Sequence, residues 1–309
     1  MNIFPARQQN ADPRIAVTLE QLLALPAALR RQPAVASMQR RPGEQPSRRR
    51  GPGLSFDQLR EYQPGDDVRT IDWRVTRRTG RAHARVFHQE SEQQLLLLVD
   101  QSESLFFGSV DKLKSVIAAE YAAQQLFAAL AARQPVAMTL LGGAEPLRFA
   151  PVRYRAGTLP MLSALADLNT ALCQPALSTA LPAGSVVAEL EQLAARQLHG
   201  KELLVVADWS VLRDLPSALL GYLAQRNQLL LAVVVDPLEW QPPAGLRGEL
   251  LDAAGCVQSV ALSRAAAANQ HAANSALWRS WQQRCAAVGA GLVAIGDQLP
   301  ATLCRGEAQ

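Results

Sequence analysis

Short apolar runs alternate with stretches of helical periodicity over the C-terminal two thirds of the chain. The run at residues 95–99 has five apolar residues without a break and leads directly into Asp100. An apolar run of this length is typical of a strand that is buried on both faces, as in a parallel sheet. Similar runs occupy residues 136–141, 202–207, 229–235 and 291–295. Between them, apolar residues recur at helical spacing in 111–133, 158–172, 185–198, 212–227 and 267–288.

This alternation predicts an α/β fold. We expect residues 95–300 to form a mostly parallel, Rossmann-like sheet flanked by helices, with the strand at 95–99 among the central strands. Gly142 and Gly143 turn the chain into a further strand at 146–152, and residues 256–262 suit an edge strand. Residues 301–309 follow the domain as a tail.

The first 94 residues have a different pattern. Residues 17–30 predict an N-terminal helix that Thr18 and Gln21 cap, within a segment 1–30. Residues 31–53 are rich in Arg, Pro and Gly, which favours an exposed, mobile segment. Residues 54–94 then predict a small β-containing lobe with a strand at 83–88 and with Trp73 and Phe87 buried.

Charged residues are dense in this lobe. Asp66, Asp67 and Asp72 lie among five arginines, which favours a network of Arg–carboxylate pairs with a structural role. The arginines are Arg60, Arg69, Arg74, Arg77 and Arg78.

Composition narrows the classes of protein further. Of the 309 residues, 49% are hydrophobic, enough for a sizeable core. Residues 1–94 carry a net charge of +6 and the remainder −2, which together give the +4 of the whole chain. No apolar run reaches the length of a membrane span and no signal-peptide core is present, so we expect a cytoplasmic protein. The four Cys and four His residues are scattered, which disfavours zinc.

Candidate metal-binding residues lie at the ends of two predicted strands and at the start of a predicted helix. Asp100, Ser102 and Ser104 provide three oxygen ligands at two-residue steps directly after the strand at 95–99. Asp208 ends the run at 202–207 in the same way, and Ser185 stands at the start of a predicted helix. An oxygen-only set of this kind fits Mg²⁺, with Mn²⁺ as a substitute, and leaves positions open for an incoming ligand. The alternative is a turn, because Asp and Ser are common in loops.

Other catalytic motifs are missing from the sequence. It contains no phosphate-binding G-x-x-x-x-G-K-[ST], no G-x-G-x-x-G after a strand and no G-x-S-x-G elbow. A Mg²⁺-dependent phosphoryl-transfer or hydrolytic enzyme that uses Asp100 and Asp208 as ligands is the rival from another class. It has no assigned nucleophile or base. Nucleic-acid binding through the Arg-rich residues 40–50 is a further, less favoured alternative.

The N-terminal lobe carries the most specific pattern. Leu59, Arg60, Glu61 and Tyr62 are followed by Pro-Gly-Asp-Asp-Val-Arg at 64–69, Ile-Asp-Trp at 71–73, Thr-Gly at 79–80, Phe87 and Glu90. Together with Gly51, Gly53, Phe56 and the later Asp-x-Ser-x-Ser at 100–104, this block resembles the DUF58 family. Proteins of that family resemble von Willebrand factor A domains and are usually encoded beside MoxR-type AAA+ ATPases.

The resemblance implies a metal-ion-dependent adhesion site. Its ligands would be Asp100, Ser102, Ser104 and Asp208, with Ser185 in place of the usual Thr and Ser178 and Thr179 as rivals for that position. Asp208–Trp209 departs from the Asp-Gly common in A domains. We therefore expect a non-enzymatic, chaperone-like interaction module that binds an acidic side chain of a partner through Mg²⁺. The resemblance implies a MoxR-type AAA+ ATPase and client proteins under assembly or maturation as partners.

Overall fold

The computed structural model describes residues 12–25, 54–63, 68, 71–89, 94–173, 185–251, 257–300 and 303. The chain divides into two compact units. The larger contains residues Met1–Met38 and Gln93–Gln309, and the smaller contains Gln39–Glu92.

A six-stranded mixed sheet forms the centre of the larger unit. Its strands are β3 (Leu95–Asp100), β4 (Val136–Leu141), β5 (Leu147–Val152), β6 (Glu202–Asp208), β7 (Gln228–Val234) and β10 (Gly291–Ile295). They lie in the order β10-β7-β6-β3-β4-β5, and all neighbours are parallel except β4 and β5. The predicted α/β fold is therefore confirmed, with β3 in the interior of the sheet as expected.

Helices flank this sheet. They are α1 (Leu19–Ala24), α3 (Lys114–Ala131), α4 (Leu159–Ala171), α5 (Val186–Ala195), α6 (Val211–Asp214), α7 (Ser217–Arg226), α8 (Pro237–Trp240) and α9 (Arg264–Val288). Thr18 and Gln21 cap α1 reciprocally, as the sequence predicted. The described helix is shorter than the predicted 17–30, because it ends at Ala24 and residues 26–30 lie outside the described residues.

Side chains of successive sheet residues enter two separate apolar clusters, as the alternation of a strand requires. Leu97 and Val99 belong to a cluster that also contains residues of α3 and α4. Leu98 belongs to the other, which contains the buried Trp278 and Trp281 of α9. Burial on both faces explains why these strands read as continuous apolar runs.

A separate hairpin follows β7. β8 (Arg247–Leu251) and β9 (Val257–Ala261) pair with each other in a two-stranded sheet. The strand expected at 256–262 therefore exists, but it does not form an edge of the six-stranded sheet, whose edges are β5 and β10.

The smaller unit contains an antiparallel pair, β1 (Leu54–Glu61) and β2 (His83–Gln89), with the short helix α2 (Trp73–Thr79) between them. Asp72 caps α2 by accepting hydrogen bonds from the backbone N–H groups of Arg74 and Val75. Asp66, Asp67, Arg69 and the side chain of Arg60 lie outside what is described, so the expected Arg–carboxylate network stays a prediction there. The side chain of Phe87 also lies outside it, so the burial of Phe87 stays a prediction as well.

The prediction that Trp73 is buried is wrong. This residue, the first of α2, is 68% exposed.

None of the described helices is both long and apolar enough to cross a membrane. The two described cysteines, Cys173 and Cys285, are free thiols.

Candidate cation site at the carboxyl edge of the sheet

Two neighbouring strands of the sheet end in a carboxylate. Asp100 is the last residue of β3 and Asp208 is the last residue of β6. The two strands are hydrogen-bonded neighbours with Val99 opposite Val206, so both carboxylates reach the same edge. This is the edge at which open α/β sheets bind ligands.

The chain after β3 brings three oxygen-bearing side chains together. Asp100 accepts hydrogen bonds from the backbone N–H of Ser102 at 2.9 Å and from its hydroxyl at 3.1 Å. The hydroxyls of Ser102 and Ser104 lie 3.0 Å apart. Because the single proton of Ser102 points to Asp100, Ser104 is the donor in that second bond.

A buried residue fixes this loop. Residues Glu103–Leu105 form a single 3₁₀ turn, and Leu105 is fully buried in the apolar core below. Its backbone N–H donates to the Ser102 carbonyl at 3.0 Å. The hydroxyls of Ser102 and Ser104 therefore stay at the cleft while the turn is anchored from beneath.

The donor set fits Mg²⁺ both chemically and in its spacing. Adjacent ligands of an octahedral Mg²⁺ are about 2.8–3.0 Å apart when the metal–oxygen distances are about 2.0–2.1 Å. The observed oxygen–oxygen separations of 3.1 Å and 3.0 Å are close to such an edge. All three groups are hard oxygen donors, which disfavours softer metals.

Burial dominates the electrostatics of Asp100. The side chain is 5% exposed, and this burial raises the pKa of Asp100 from 3.8 to about 6. The hydrogen bonds from Ser102 and from the backbone of Asp208 lower the pKa, whereas the negative charge of Asp208 raises it. A nearby cation would stabilise the ionised form of Asp100, because its positive charge offsets the unfavourable burial of the carboxylate charge.

The remaining predicted ligands line the same cleft, which has a volume of about 210 Å³. Asp208 and Ser185 both contribute to its wall, together with Ser210 and Asp214. The Ser185 hydroxyl caps α5 by accepting a hydrogen bond from the backbone N–H of Val187 at 3.2 Å. The rival candidates Ser178 and Thr179 lie outside the described residues.

Two charged residues of this region were missed in the sequence. The ammonium of Lys114 lies 2.5 Å from one oxygen of Asp208 and 2.9 Å from both oxygens of Glu239. Lys114 is 1% exposed, although it is the first residue of α3. The scarcity of lysine was the available signal for this residue, since the chain has only three lysines against 28 arginines.

The residue after Asp208 also has a structural explanation. Trp209 is buried and its ring meets that of Trp240 edge to face, with ring centroids 6.1 Å apart. Its backbone N–H donates to the Val234 carbonyl and continues the sheet ladder. Trp209 therefore belongs to the apolar core next to Asp208.

Within the described residues, no three His, Cys, Asp or Glu side chains form a group that could hold a metal ion. Any cation in the cleft would therefore depend on hydroxyl oxygens and water as well as on carboxylate. The arrangement can hold a small divalent cation in an open position that an external oxygen ligand can reach.

Fold and cleft together define an α/β protein with a mostly parallel six-stranded sheet and an oxygen-lined cleft at its carboxyl edge. The family model described as "Protein of unknown function DUF58" matches residues 58–275, more than half of the chain. The chain therefore belongs to the DUF58 family.

Curated relatives share a shorter segment. One uncharacterized protein of Mycobacterium bovis and two of Mycobacterium tuberculosis are each 49% identical to this chain over 59 residues. That segment is 19% of this chain and 19% of each relative. The match therefore covers less than a fifth of this chain and less than a fifth of each relative.

Proposed function

We propose that this protein is a non-enzymatic interaction module that binds an acidic side chain of a partner through Mg²⁺ held by Asp100, Ser102 and Ser104. The observation that carries the proposal is the set of three oxygens spaced at 3.0–3.1 Å around an open cleft. Ser185 and Asp208, which line the same cleft, support it.

The exposure of the three groups suits recognition. Asp100 is buried, Ser102 is half-buried and Ser104 is exposed, so the set opens from the core toward solvent. When bound, Mg²⁺ supplies an electrophilic position that a carboxylate from outside can complete. The protein's own residues hold the cation, exclude water from beneath it through Leu105 and leave one side accessible.

The partners in this proposal come from the family resemblance. A MoxR-type AAA+ ATPase would act with the module in the cytoplasm, and client proteins under assembly or maturation would present the acidic side chain. Chemical support comes from the preference of Mg²⁺ for a carboxylate or a similar oxygen anion as a further ligand.

The test is direct binding of the purified protein to the MoxR-type ATPase of the same organism, in Mg²⁺ and in EDTA. We expect binding in Mg²⁺, loss in EDTA and loss in Asp100→Ala. That variant is expected to fold, because it removes a carboxylate whose charge is unfavourably buried. Ser263→Ala, at the remote cap of α9, is the control and should bind as the wild type does.

Three results would count against the proposal. Binding that is equal in EDTA and in Asp100→Ala would remove the cation from the interaction. Calorimetry that detects neither Mg²⁺ nor Mn²⁺ binding would remove the site. Mg²⁺-dependent hydrolysis of a phosphate ester by the wild type, lost in Asp100→Ala, would favour the enzyme instead.

A further inference from the structure

A buried cluster of three charged side chains lies behind the cleft. Lys114 Nζ contacts Asp208 Oδ2 at 2.5 Å and both oxygens of Glu239 at 2.9 Å. Lys114 and Asp208 are almost completely buried, whereas the side chain of Glu239 is 30% exposed. With one ammonium and two carboxylates, the cluster has a formal net charge of −1.

Both oxygens of Asp208 accept a hydrogen bond within the protein. Oδ2 accepts from Lys114, and Oδ1 accepts from the backbone N–H of Ser210 at 2.8 Å. Asp208 still lines the cleft, where it can accept a hydrogen bond from a water molecule. Direct coordination of a cation would instead require the carboxylate to turn away from a buried ammonium.

Separating that pair is costly. A buried ammonium that loses one of its carboxylates is left partly uncompensated in a poorly solvated interior. The ring of Phe107, 5.7 Å from the Lys114 nitrogen, is a further favourable contact that holds the ammonium in place. By contrast, no ammonium contacts Asp100 among the described residues; its side-chain partner is Ser102.

We propose that Lys114 is a positioning residue of the cation site: it holds Asp208 out of direct coordination and thereby limits the affinity of the cleft for divalent cations. This inference rests on the proposed Mg²⁺ site and goes further, because it assigns Asp100 as the direct carboxylate ligand and Asp208 as a ligand through water. The open coordination positions that result are those a partner's carboxylate would fill.

The experiment measures Mn²⁺ affinity by calorimetry in four proteins at one pH. Lys114→Met releases Asp208 but changes the net charge of the cluster. The double variant Lys114→Met, Glu239→Gln releases Asp208 and keeps the net charge at −1, so it separates release from bulk charge. Lys112→Met is the matched control, because Lys112 pairs with Glu120 and does not line the cleft.

We expect both Lys114 variants to bind Mn²⁺ about tenfold more tightly than the wild type, the scale of effect that groups behind the metal ligands have. Lys112→Met should match the wild type. Electron paramagnetic resonance in ¹⁷O-enriched water should count one fewer Mn²⁺-bound water in the double variant, because Asp208 has replaced it.

Asp208→Asn keeps the inference testable if neither Lys114 variant folds. Its amide oxygen can still accept from Lys114, and the number of Mn²⁺-bound waters should equal that of the wild type. A gain of one bound water in this variant would show that Asp208 was a direct ligand and would overturn the inference.

The outcomes for the two proposals differ. Equal or weaker Mn²⁺ binding by folded Lys114 variants overturns the inference while the Mg²⁺ site stands. Binding by the double variant but not by the wild type supports the inference and overturns the proposed function. If none of the proteins binds Mn²⁺, both are overturned.

Discussion

The side-chain amide of Asn169 donates a 2.9 Å hydrogen bond to the side-chain oxygen of Gln101, and both residues are fully buried. Asn169 also accepts from the backbone N–H of Val17 at 2.8 Å, and Gln101 donates to the Ser115 carbonyl at 3.1 Å. This chain of three bonds joins the N-terminal segment, α4 and the start of α3. It meets the site directly, because Gln101 follows Asp100.

Asn169→Ala is expected to lower the free energy of unfolding by about 2–6 kcal/mol. The substitution leaves the Val17 N–H and the side-chain oxygen of Gln101 buried without these partners, and each such group costs about 1–3 kcal/mol. Urea unfolding measures the change. Asp167→Ala, at an exposed position of the same helix, is the control and should stay within about 0.5 kcal/mol of the wild type.

Gly142, which directly follows β4, constrains the backbone of Gln101. Its φ is +119°, and a Cβ built there would lie only 2.1 Å from the Gln101 carbonyl oxygen. Gly142→Ala should therefore displace Gln101 and, with it, Asp100. We expect a larger loss of stability than a positive φ alone produces, together with weaker Mn²⁺ binding.

Gly245→Ala is the matched control for that substitution. Gly245 also has a positive φ, of +81°, but a Cβ there would meet no atom within 4 Å. Its cost should be the backbone strain alone, on the order of 1 kcal/mol. Thermal unfolding of the two variants, side by side, isolates the clash, and equal losses would contradict the proposed displacement of Gln101.

The sheet could be predicted from sequence because burial on both faces leaves short continuous apolar runs, and the helical stretches between them favour strands in a parallel sheet. The run at 95–99 and the run at 202–207 both became central strands with the expected carboxylates at their ends. The shared position of Asp100 and Asp208 followed from that edge, since parallel neighbours bring their carboxyl ends together, whereas Ser185 was placed by a predicted helix start and by the family resemblance.

Lys114 could not be predicted in the same way. A lysine at the start of a helix usually lies in solvent, and only the approach of β6 and α8 makes it a buried partner of two carboxylates. The prediction for Trp73 failed for the opposite reason, because this residue is exposed where burial was expected. Aromatic residues are usually covered, but the position of a residue at the first turn of α2 is set by the backbone and not by its own hydrophobicity.

The raised pKa of Asp100 predicts a pH dependence of stability. With a pKa of about 6 in the fold against 3.8 ordinarily, the folded protein holds this proton more tightly than the unfolded chain does. The contribution of Asp100 to stability is therefore fully present below about pH 4 and is lost as the pH rises to about 6. At pH 7 without divalent cations, Asp100→Asn should be more stable than the wild type by about 2–3 kcal/mol, since one pKa unit corresponds to about 1.4 kcal/mol.

Urea unfolding of both proteins from pH 4 to pH 7 measures this difference. Saturating Mg²⁺ should narrow it at pH 7, because the cation binds the ionised form of Asp100 and stabilises only the wild type. A stability difference that is constant over this pH range would contradict the assigned pKa.

Ser185 has a structural role and a proposed ligand role, and the two can be separated. As the cap of α5, its hydroxyl accepts from the Val187 N–H, so Ser185→Ala should cost about 1 kcal/mol in the free energy of unfolding. Ser263 caps α9 in the same way, accepting from the Ala266 N–H at 3.1 Å, and lies away from the cleft. Ser263→Ala is thus a control with matched chemistry and a similar expected loss of stability.

Mn²⁺ affinity then distinguishes the roles of Ser185. If its hydroxyl contributes to the cation site, directly or through water, Ser185→Ala should weaken Mn²⁺ binding by about tenfold, whereas Ser263→Ala should leave it unchanged. Ser185→Gly sharpens the comparison, because Gly is tolerated at a helix cap at a cost of only a few tenths of a kcal/mol. A Gly variant that keeps its stability and loses Mn²⁺ affinity identifies Ser185 as a ligand. Unchanged Mn²⁺ affinity in both variants would reduce Ser185 to a helix cap and leave the cation to Asp100, Ser102 and Ser104.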